Sequence, residues 1–572
     1  MIGLRPSPVR VSTEAAHKFP RFLLLAVLVL FIASGLLGRD LWSSDEARAL
    51  GLAMSLAGDG ARWLMPEAMG EVLTEHGPLS VWLSAALIKL TAGWLSPLAA
   101  MRLTTLFWFA VSTGSIWYGT WFLARRIEAQ PVAQAFGREA AYRDYGRLVA
   151  DTATLFFVSL FGLVVHSHEP TFQTAELALA SLAYFGCCWT LMRPYWGPAL
   201  SGLACGAVVL TSTVLAGVSV LAACLLTYVL VRGIGRASRK IATALVVSGI
   251  VFALWPLCAR ALWPEAAPAY FDAWWAAQCD RIGLIDSHEV LWFVKHFCWY
   301  LCPAWPLAAR AVWVWRRTLN VTHIALPLTF CVMWLAGCIV SDNINAETLM
   351  CVVIAPMCTL SAFGLMSASR STRSMLECFC VSVFTFALIG LWIYWFAWTF
   401  GVPEKMHYSV LRLVAAEGEA HGAWYGVAAA LALLTFWVIL CVRRLQRRPT
   451  AFWHGPWLSA AGLTAMWVTA LALFGPTIDS NRTLAHVAAD LRTAVLAQGF
   501  DVSRDCVRTR RIELGHRTAL AWHSGLRLTA DASGGCRFTL DTVSEARARE
   551  EGVLASYRPR SHTRYRVTRN AS

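Results

Sequence analysis

The sequence has few charged side chains: only 15% of its 572 residues are charged, whereas 57% are hydrophobic. Soluble domains carry roughly 25% charged residues, so a soluble multidomain protein is disfavoured and most of the chain is expected to lie in lipid. The formal net charge is +14, but the basic residues are scattered among apolar segments. Because they form no single basic stripe, no nucleic-acid partner is expected.

The sequence also lacks a disulfide framework, although it has 17 cysteines. Fifteen of them lie in or beside apolar segments, where cysteine acts as a small hydrophobic residue. The polar tail contains Cys506 and Cys536, and we expect it to lie in an oxidising compartment. A disulfide between them would stabilise the tail by about 3–4 kcal/mol, and the alternative is a pair of free thiols.

Thirteen apolar stretches are candidates to cross a bilayer, which takes about 17–25 helical residues; the fifth, 198–213, is short, and its boundary with the sixth stays open. The predicted spans are 20–38, 98–123, 148–168, 172–192, 198–213, 214–231, 241–263, 291–314, 322–340, 348–367, 374–400, 423–442 and 453–474. If the N-terminus is cytoplasmic, the arginine-rich loops between them are cytoplasmic too, as the positive-inside rule requires. We therefore predict a multi-pass membrane protein whose basic N-terminus and first span form a retained signal anchor.

The predicted membrane domain comprises residues 1–474 and is all-α, with a long first outer loop at 39–97. Within this loop, residues 79–96 form an apolar helix that Pro78 begins and Lys89 interrupts. Counting it as a span would reverse the side of every later loop. We therefore expect an interfacial helix on the outer side.

The tail, 475–572, differs in character from the membrane part. It has 16 Arg, no Lys and 10 acidic residues. Residues 482–497 have the apolar periodicity of an amphipathic helix, and the alternating runs at 506–514 and 535–540 predict strands. The tail is thus predicted to be a small α/β domain outside the membrane.

Two adjacent acids, Asp45 and Glu46, follow the first span directly. Helical periodicity continues after them, and Ser43 or Ser44 is a suitable residue to cap that helix. Acids at a helix start gain about 0.3–1 kcal/mol from the helix dipole, which is a purely structural explanation for both. One observation speaks against this purely structural explanation: charged residues so close to the bilayer are scarce in this chain.

Other polar groups are predicted on the same outer side. They lie in three further segments and include Glu75, His76, His166, His168, Glu169, Arg281 and His288. Any one segment could be a solvated loop. Their convergence on one face of the membrane predicts a cleft between the spans and the outer loops.

The first outer loop begins with the pattern Trp-x-x-Asp-Glu-x-Arg, formed by Trp42, Asp45, Glu46 and Arg48. The segment WLMPEAMGEVLTEHGP follows, beginning at Trp63. This succession resembles the first outer loop of the GT-C glycosyltransferases, which include the lipid A aminoarabinose transferases and the protein O-mannosyltransferases. Span count and the outer C-terminal domain extend the resemblance over nearly the whole chain.

The resemblance implies a glycosyltransferase of the bacterial inner membrane whose donor is a sugar on a polyprenyl phosphate, such as undecaprenyl phosphate. Asp45 would be the general base for the acceptor hydroxyl, with Glu46 and Glu169 as further catalytic acids. The acceptor would be an envelope lipid such as lipid A, a glycan or a protein on the periplasmic side. Glu75 and His288 match a polar pair that could bind a divalent metal ion.

The sequence departs from the family at cationic positions. His76 replaces the Lys of a Glu-Lys-Pro motif, and Ser212 replaces the Lys of a Leu-Thr-Lys-Gly stretch. Arg48, Arg62, His76 and Arg281 remain as candidates to bind the donor phosphate, although an arginine there could serve only as an interfacial anchor. These losses leave a second hypothesis open, a non-catalytic protein that binds lipid-linked sugar or assists envelope assembly.

Overall fold

The computed structural model is mostly helical, and we describe residues 7–36, 38–133, 139–231, 237–341, 347–411, 424–446, 451–530, 535–543, 553–554 and 564–569 of it. The α-helices are α1 Arg21–Ala33, α2 Ser44–Ala57, α3 Leu79–Leu90, α4 Pro97–Ala124, α5 Tyr142–Val158, α6 Leu163–His166, α7 Phe172–Thr190, α8 Trp196–Val209, α9 Val214–Leu230, α10 Ala237–Leu262, α11 Ala267–Cys279, α12 Ser287–Tyr300, α13 Ala304–Val314, α14 Thr322–Ile339, α15 Glu347–Met366, α16 Arg370–Phe400, α17 Glu404–Leu411, α18 Trp424–Gln446, α19 His454–Arg482, α20 Ala485–Ala497 and α21 Leu514–Ser524. The strands are β1 Glu67–Ala68, β2 Glu71–Val72, β3 Val507–Arg510, β4 Leu528–Thr529, β5 Phe538–Val543, β6 Val553–Leu554 and β7 Arg564–Arg569.

Several of these helices are suited to lipid. Among the described residues, five are long and apolar enough to cross a membrane: α10, α14, α16, α18 and the helix that begins at His454. Shorter apolar helices, such as α1, α8 and α9, accompany them. The chain is therefore a helical membrane protein, while the number of thirteen spans stays a prediction.

The first outer loop folds into α2, a short hairpin and α3. Ser43 caps α2, because its hydroxyl accepts a hydrogen bond from the backbone N–H of Glu46 at 3.1 Å. Strands β1 and β2 pair antiparallel, and Met69 between them has a positive φ of 52°. Helix α3 ends at Leu90, earlier than predicted, and its placement in the membrane interface stays a prediction.

The C-terminal part forms a five-stranded sheet in the order β4-β3-β5-β7-β6. Strand β3 is parallel to β4 and β5, and α21 provides the crossover from β3 to β4. Strand β7 is antiparallel to β5 and β6. The small α/β domain predicted from the sequence is thus confirmed.

Two elements near and in this domain have other bounds than predicted. Helix α19 continues to Arg482, so the predicted helix at 482–497 begins only at Ala485, and we propose to divide the chain between these two residues. The predicted strand at 506–514 ends early because Arg511 has a positive φ of 55° and Leu514 begins α21. Cys506 and Cys536 form the predicted disulfide.

The sheet domain and the first outer loop share one apolar cluster. Leu50 of α2 and Met101 of α4 are buried in it together with Leu491 of α20, Leu520 of α21 and Phe538 of β5. Burial of apolar surface contributes roughly 25 cal/mol per Å², so this shared cluster fixes the tail against the loop. The first outer loop and the C-terminal domain therefore meet beside α2.

Candidate active site

The first turn of α2 carries the two adjacent acids, and it directs them to different surroundings. Glu46 is fully buried, whereas Asp45 is exposed. Because successive residues of a helix point about 100° apart, one acid faces the interior while the other faces the outer loops. Each acid therefore belongs to a separate group of charges.

The group around Glu46, which we call the buried cluster, consists of Arg39, Glu46 and Arg102. Nη1 of Arg39 lies 2.6 Å from Oε2 of Glu46, and Nε of Arg102 lies 2.8 Å from Oε1. Arg39 also donates to the backbone oxygen of His168 at 3.1 Å, and Arg102 donates to that of Asp40 at 2.9 Å. Both oxygens of Glu46 are thus occupied by interactions that tie α2 to α4 and the preceding loop.

The group around Asp45, which we call the open cluster, consists of Asp45, Arg48, Glu75 and Arg281. Arg48 lies one helical turn after Asp45 and donates a hydrogen bond to Oε2 of Glu75. Nη2 of Arg281 lies 3.7 Å from the same oxygen. Three segments that are distant in sequence, two of them from the first outer loop and one following α11, thus meet here.

The two acids of the open cluster have pKa values that are shifted in opposite directions. Partial desolvation raises the pKa of Asp45 above its ordinary value, Arg48 opposes this, and the charge of Glu75 adds to it. For Glu75, desolvation would raise the pKa, but Arg48 and Arg281 outweigh it and hold the pKa low. Glu75 is therefore a firmly ionised partner of the arginines, whereas Asp45 has the more basic carboxylate.

Side chains of helix α11 bind the backbone of the segment that carries Glu75 and His76. Tyr270, Trp274 and Gln278 lie four residues apart on one helical face, where side chains are neighbours. The Tyr270 hydroxyl donates to the backbone oxygen of Leu73 at 2.9 Å, Trp274 to that of His76 at 3.2 Å, and Gln278 to that of Glu75 at 3.1 Å. Carbonyl oxygens of the segment before Gly77 thus accept hydrogen bonds from side chains of α11.

Gly77 fixes the other side of this segment. A Cβ at this position would overlap the backbone of Leu210, so only glycine allows the close approach. The N–H of Leu79 then donates to the oxygen of Leu210 at 2.8 Å. His76 is therefore held beside the turn between α8 and α9, which contains Ser212.

His76 is neutral in this setting. Desolvation, followed by the charges of Arg281 and Arg48, lowers its pKa well below its ordinary value. The ring stacks on Phe172 with the centroids 4.3 Å apart, and its Nδ1 atom is buried without a hydrogen-bond partner. His76 can thus offer a ligand a hydrogen bond, but it does not supply the positive charge that a lysine would.

Glu169 lies at the border between the two clusters. It is buried and accepts a hydrogen bond from the Ser43 hydroxyl at 2.7 Å, so it contacts the cap of α2. Burial raises its pKa, and the charge of Glu46 raises it further. This carboxyl group therefore favours its protonated form more than an ordinary glutamate does.

Two predicted candidates lie apart from these contacts. Arg62 is exposed in the loop before β1, next to Ala61, and His288 is exposed in the first turn of α12. Within the part of the chain that the structure describes, no three His, Cys, Asp or Glu side chains group as metal ligands. A metal ion held by Glu75 and His288 stays a prediction, and Glu75 already bridges two arginines.

Sequence reasoning missed several residues that shape the site. Arg102 lies inside a predicted span, and a charge there is itself a sign of a buried partner. The four-residue spacing of Tyr270, Trp274 and Gln278 was a second signal, visible within α11. Glu513 of the tail gave no such signal, yet its carboxylate accepts a hydrogen bond from Ser44 at 3.3 Å.

The architecture of this chain is similar to that of a protein of known structure. No protein-family model and no curated protein matches the sequence. The solved structure of ArnT from Cupriavidus metallidurans bound to undecaprenyl phosphate superposes with a TM-score of 0.67 at 13% identity, covering 96% of this chain and 97% of that one. The apo state of the same protein gives a TM-score of 0.64 at the same identity and coverage.

The fold therefore defines the class: this chain is a multi-pass membrane protein with the GT-C fold. Within that class its architecture is similar to that of ArnT, the lipid A aminoarabinose transferase, along nearly the full length of both chains. The GT-C resemblance predicted from the first outer loop is thus confirmed for the fold.

Proposed function

We propose that this protein is a GT-C glycosyltransferase that transfers a sugar from a polyprenyl phosphate to an acceptor in the bacterial cell envelope. The observation that carries the proposal is the open cluster, in which a basic carboxylate and two arginines from separate segments meet on an ArnT-like fold. A fold alone does not define an activity, so we assign the reaction from the residues of the site.

The donor phosphate would bind to Arg48 and Arg281. Both guanidinium groups already contact one carboxylate oxygen, that of Glu75, so their positions suit a second anionic group. Guanidinium groups bind phosphate through several directed hydrogen bonds. His76 would add a neutral hydrogen bond through Nδ1 or Nε2, and undecaprenyl phosphate, the ligand of the ArnT structure, is the expected carrier.

Asp45 would be the general base. It would take the proton of the acceptor hydroxyl as that oxygen attacks the anomeric carbon, while the bond from this carbon to the phosphate oxygen breaks. A raised pKa increases the affinity of the carboxylate for this proton. The two arginines would stabilise the negative charge that the leaving phosphate gains.

Glu169 and Glu46 would then have different roles. Glu169, through Ser43, would hold the first turn of α2 and so the direction of Asp45. Glu46 would be structural, because both of its oxygens bind arginines inside the protein. This departs from the catalytic role that the family resemblance implied for Glu46.

The proposed setting follows from the same arrangement. The open cluster and the sheet domain would face the periplasm, the N-terminus would be cytoplasmic, and the spans would cross the inner membrane. The acceptor would be an envelope lipid such as lipid A, a glycan or a protein.

A strain carrying Asp45→Asn tests the proposal. We expect loss of one glycosylated envelope product that wild-type cells contain, measured by mass spectrometry of lipid A, glycans and membrane proteins. The matched control is Asp59→Asn, which changes an exposed acid in the turn after α2. An unchanged product profile, with the Asp45→Asn protein present and folded in the membrane, would contradict the proposal.

One observation favours a second function, binding of a lipid-linked sugar without transfer. His76 is neutral where the family has a lysine, which leaves two arginines for the phosphate. In that case, purified protein would bind undecaprenyl phosphate equally well with or without Asp45→Asn, and the strain would lose no product.

A further inference from the structure

We propose that Glu513, a residue of the C-terminal sheet domain, belongs to the reaction centre as a positioning residue that holds the first turn of α2 and sets the charge around Asp45. The inference rests on the proposed function, because it concerns the same site. It assigns the tail domain a direct part in the reaction.

The tail domain approaches α2 as closely as backbone allows. A Cβ at Gly515 of α21 would overlap the backbone oxygen of Ser44, so only glycine fits there. Two turns further along α2 and one turn further along α21, a Cβ at Gly51 would overlap the hydroxyl of Thr518. Two glycines, one on each helix, thus bring the start of α21 against the start of α2.

Because α21 lies so close to α2, the side chain of Glu513 contacts the first turn of α2. It is the residue before α21, where Ser, Thr, Asp or Asn would cap the helix best. Its side chain caps none of the backbone N–H groups of α21. Instead, its Oε2 accepts a hydrogen bond from the hydroxyl of Ser44 at 3.3 Å, directly beside Asp45. Helix capping therefore does not explain this glutamate.

The backbone before Glu513 is held in a specific shape. Arg511 has a φ of 55°, a conformation that costs energy for a residue with a side chain and that concentrates at functional sites. Its guanidinium binds Asp541 on β5 at 2.7 Å. Buried Arg517 donates to the oxygen of Ile512 at 2.9 Å, so both ends of the turn are fixed.

Several charged side chains among the described residues act on Asp45. The largest charge effects come from Arg48 on its own helix, Glu75 from the same outer loop, Glu513, and His166 of α6. Of these four, Glu513 is the one that the tail domain supplies. Its negative charge raises the pKa of Asp45, as does that of Glu75.

The test is a titration of Asp45 in the full-length protein in lipid nanodiscs. NMR of protein labelled with ¹³C at the aspartate carboxyl carbons would follow the pKa, with the signal assigned by its loss in Asp45→Asn. We expect Glu513→Gln to lower the pKa of Asp45 by about half a unit, the size for one charge removed at roughly 6–8 Å in a water-like medium. Glu513→Asp, which keeps the charge, should recover most of the shift.

The control is Glu67→Gln, which removes an exposed charge from β1 and should leave the titration unchanged. If Glu513→Gln leaves the pKa of Asp45 unchanged as well, the inference is wrong, whatever the protein transfers. If the pKa shifts but Asp45→Asn cells lose no product, Glu513 is placed correctly and the proposed transferase function is wrong. If the pKa of Asp45 shifts in Glu513→Gln and Asp45→Asn cells also lose a product, both proposals hold. In that case the decline of the transfer rate on acidification should occur at lower pH in Glu513→Gln than in the wild type.

Discussion

The buried cluster and the open cluster begin at adjacent residues, Glu46 and Asp45, and yet they differ in burial and in how completely their charges are paired. In the buried cluster, one carboxylate lies between two arginines, and their other donors bind backbone oxygens. In the open cluster, two arginines share one oxygen of Glu75, and Asp45 has no ion pair among the described residues. A cluster with all its bonds made supports the fold, whereas one with unused charge can bind a ligand.

The largest expected effect is on stability, from Glu46→Gln. It leaves two buried arginines without a counter-charge, and breaking a buried ion pair costs about 3–5 kcal/mol. Asp45→Asn is the matched control: because its folded-state pKa is raised, ionised Asp45 gives no stability above that pKa, and removing the charge should not destabilise the protein at pH 7. Thermal unfolding in detergent would measure both, and equal stability of the two variants would contradict the comparison.

A smaller effect is expected on ligand binding, from Arg48→Gln or Arg281→Gln. Each removes one charged donor, so affinity for undecaprenyl phosphate should fall about tenfold, equivalent to about 1.4 kcal/mol. The control is Arg316→Gln, an arginine after α13 that contacts Trp313. Binding to protein in nanodiscs would be measured by native mass spectrometry. Unchanged affinity in both cluster variants would mean that the open cluster is not the phosphate site.

Glu169 between the clusters should tolerate an amide. Because burial and Glu46 raise its pKa, the protonated form is favoured and Glu169→Gln resembles it in shape and charge. We expect a stability change under about 1 kcal/mol and near-normal transfer, whereas Glu169→Ala should lose more of both because the Ser43 hydroxyl loses its partner. A large loss of transfer in Glu169→Gln would show that the ionised carboxylate takes part in the reaction.

The smallest predicted effect is a pH dependence confined to the open cluster. The base form of Asp45 exists above its raised pKa, so transfer should decline as the pH falls through that value, which is higher than for an ordinary aspartate. Glu75 has a lowered pKa and stays ionised to lower pH, so its contribution to stability should persist there. Coincident loss of activity and of folding on acidification would contradict this separation.

The sequence predicted one cluster much better than the other. Asp45, Arg48, Glu75 and Arg281 lie in polar segments that were predicted on the same side of the membrane, so the predicted topology and the loop motif were enough to group them. The partners of Glu46 were not predicted, because Arg39 follows the first span directly and Arg102 lies in a stretch counted as a span. Assigning them requires packing between α2 and α4, which periodicity along one helix does not contain.

The secondary-structure elements show the same division between local patterns, which were predicted, and long-range contacts, which were not. Elements with local patterns were predicted in kind: Ser43 was one of two predicted caps of α2, and β5 overlaps the strand predicted at 535–540 with a shift of three residues. The end of α19 and the turn at Arg511 were not, because contacts from distant segments decide them. Local propensity sets the elements, and tertiary contacts set where they stop.

The contact between the segment ahead of α2 and the tail domain has a consequence for biosynthesis. Asp40, ahead of α2, accepts a hydrogen bond from Thr483 and lies 3.1 Å from Nε2 of His523, both of which are translated hundreds of residues later. The surroundings of α2 are therefore incomplete while the ribosome is still extending the chain. A chain that stopped before the tail would lack these contacts, so the surroundings of α2 are completed only once the tail has been made.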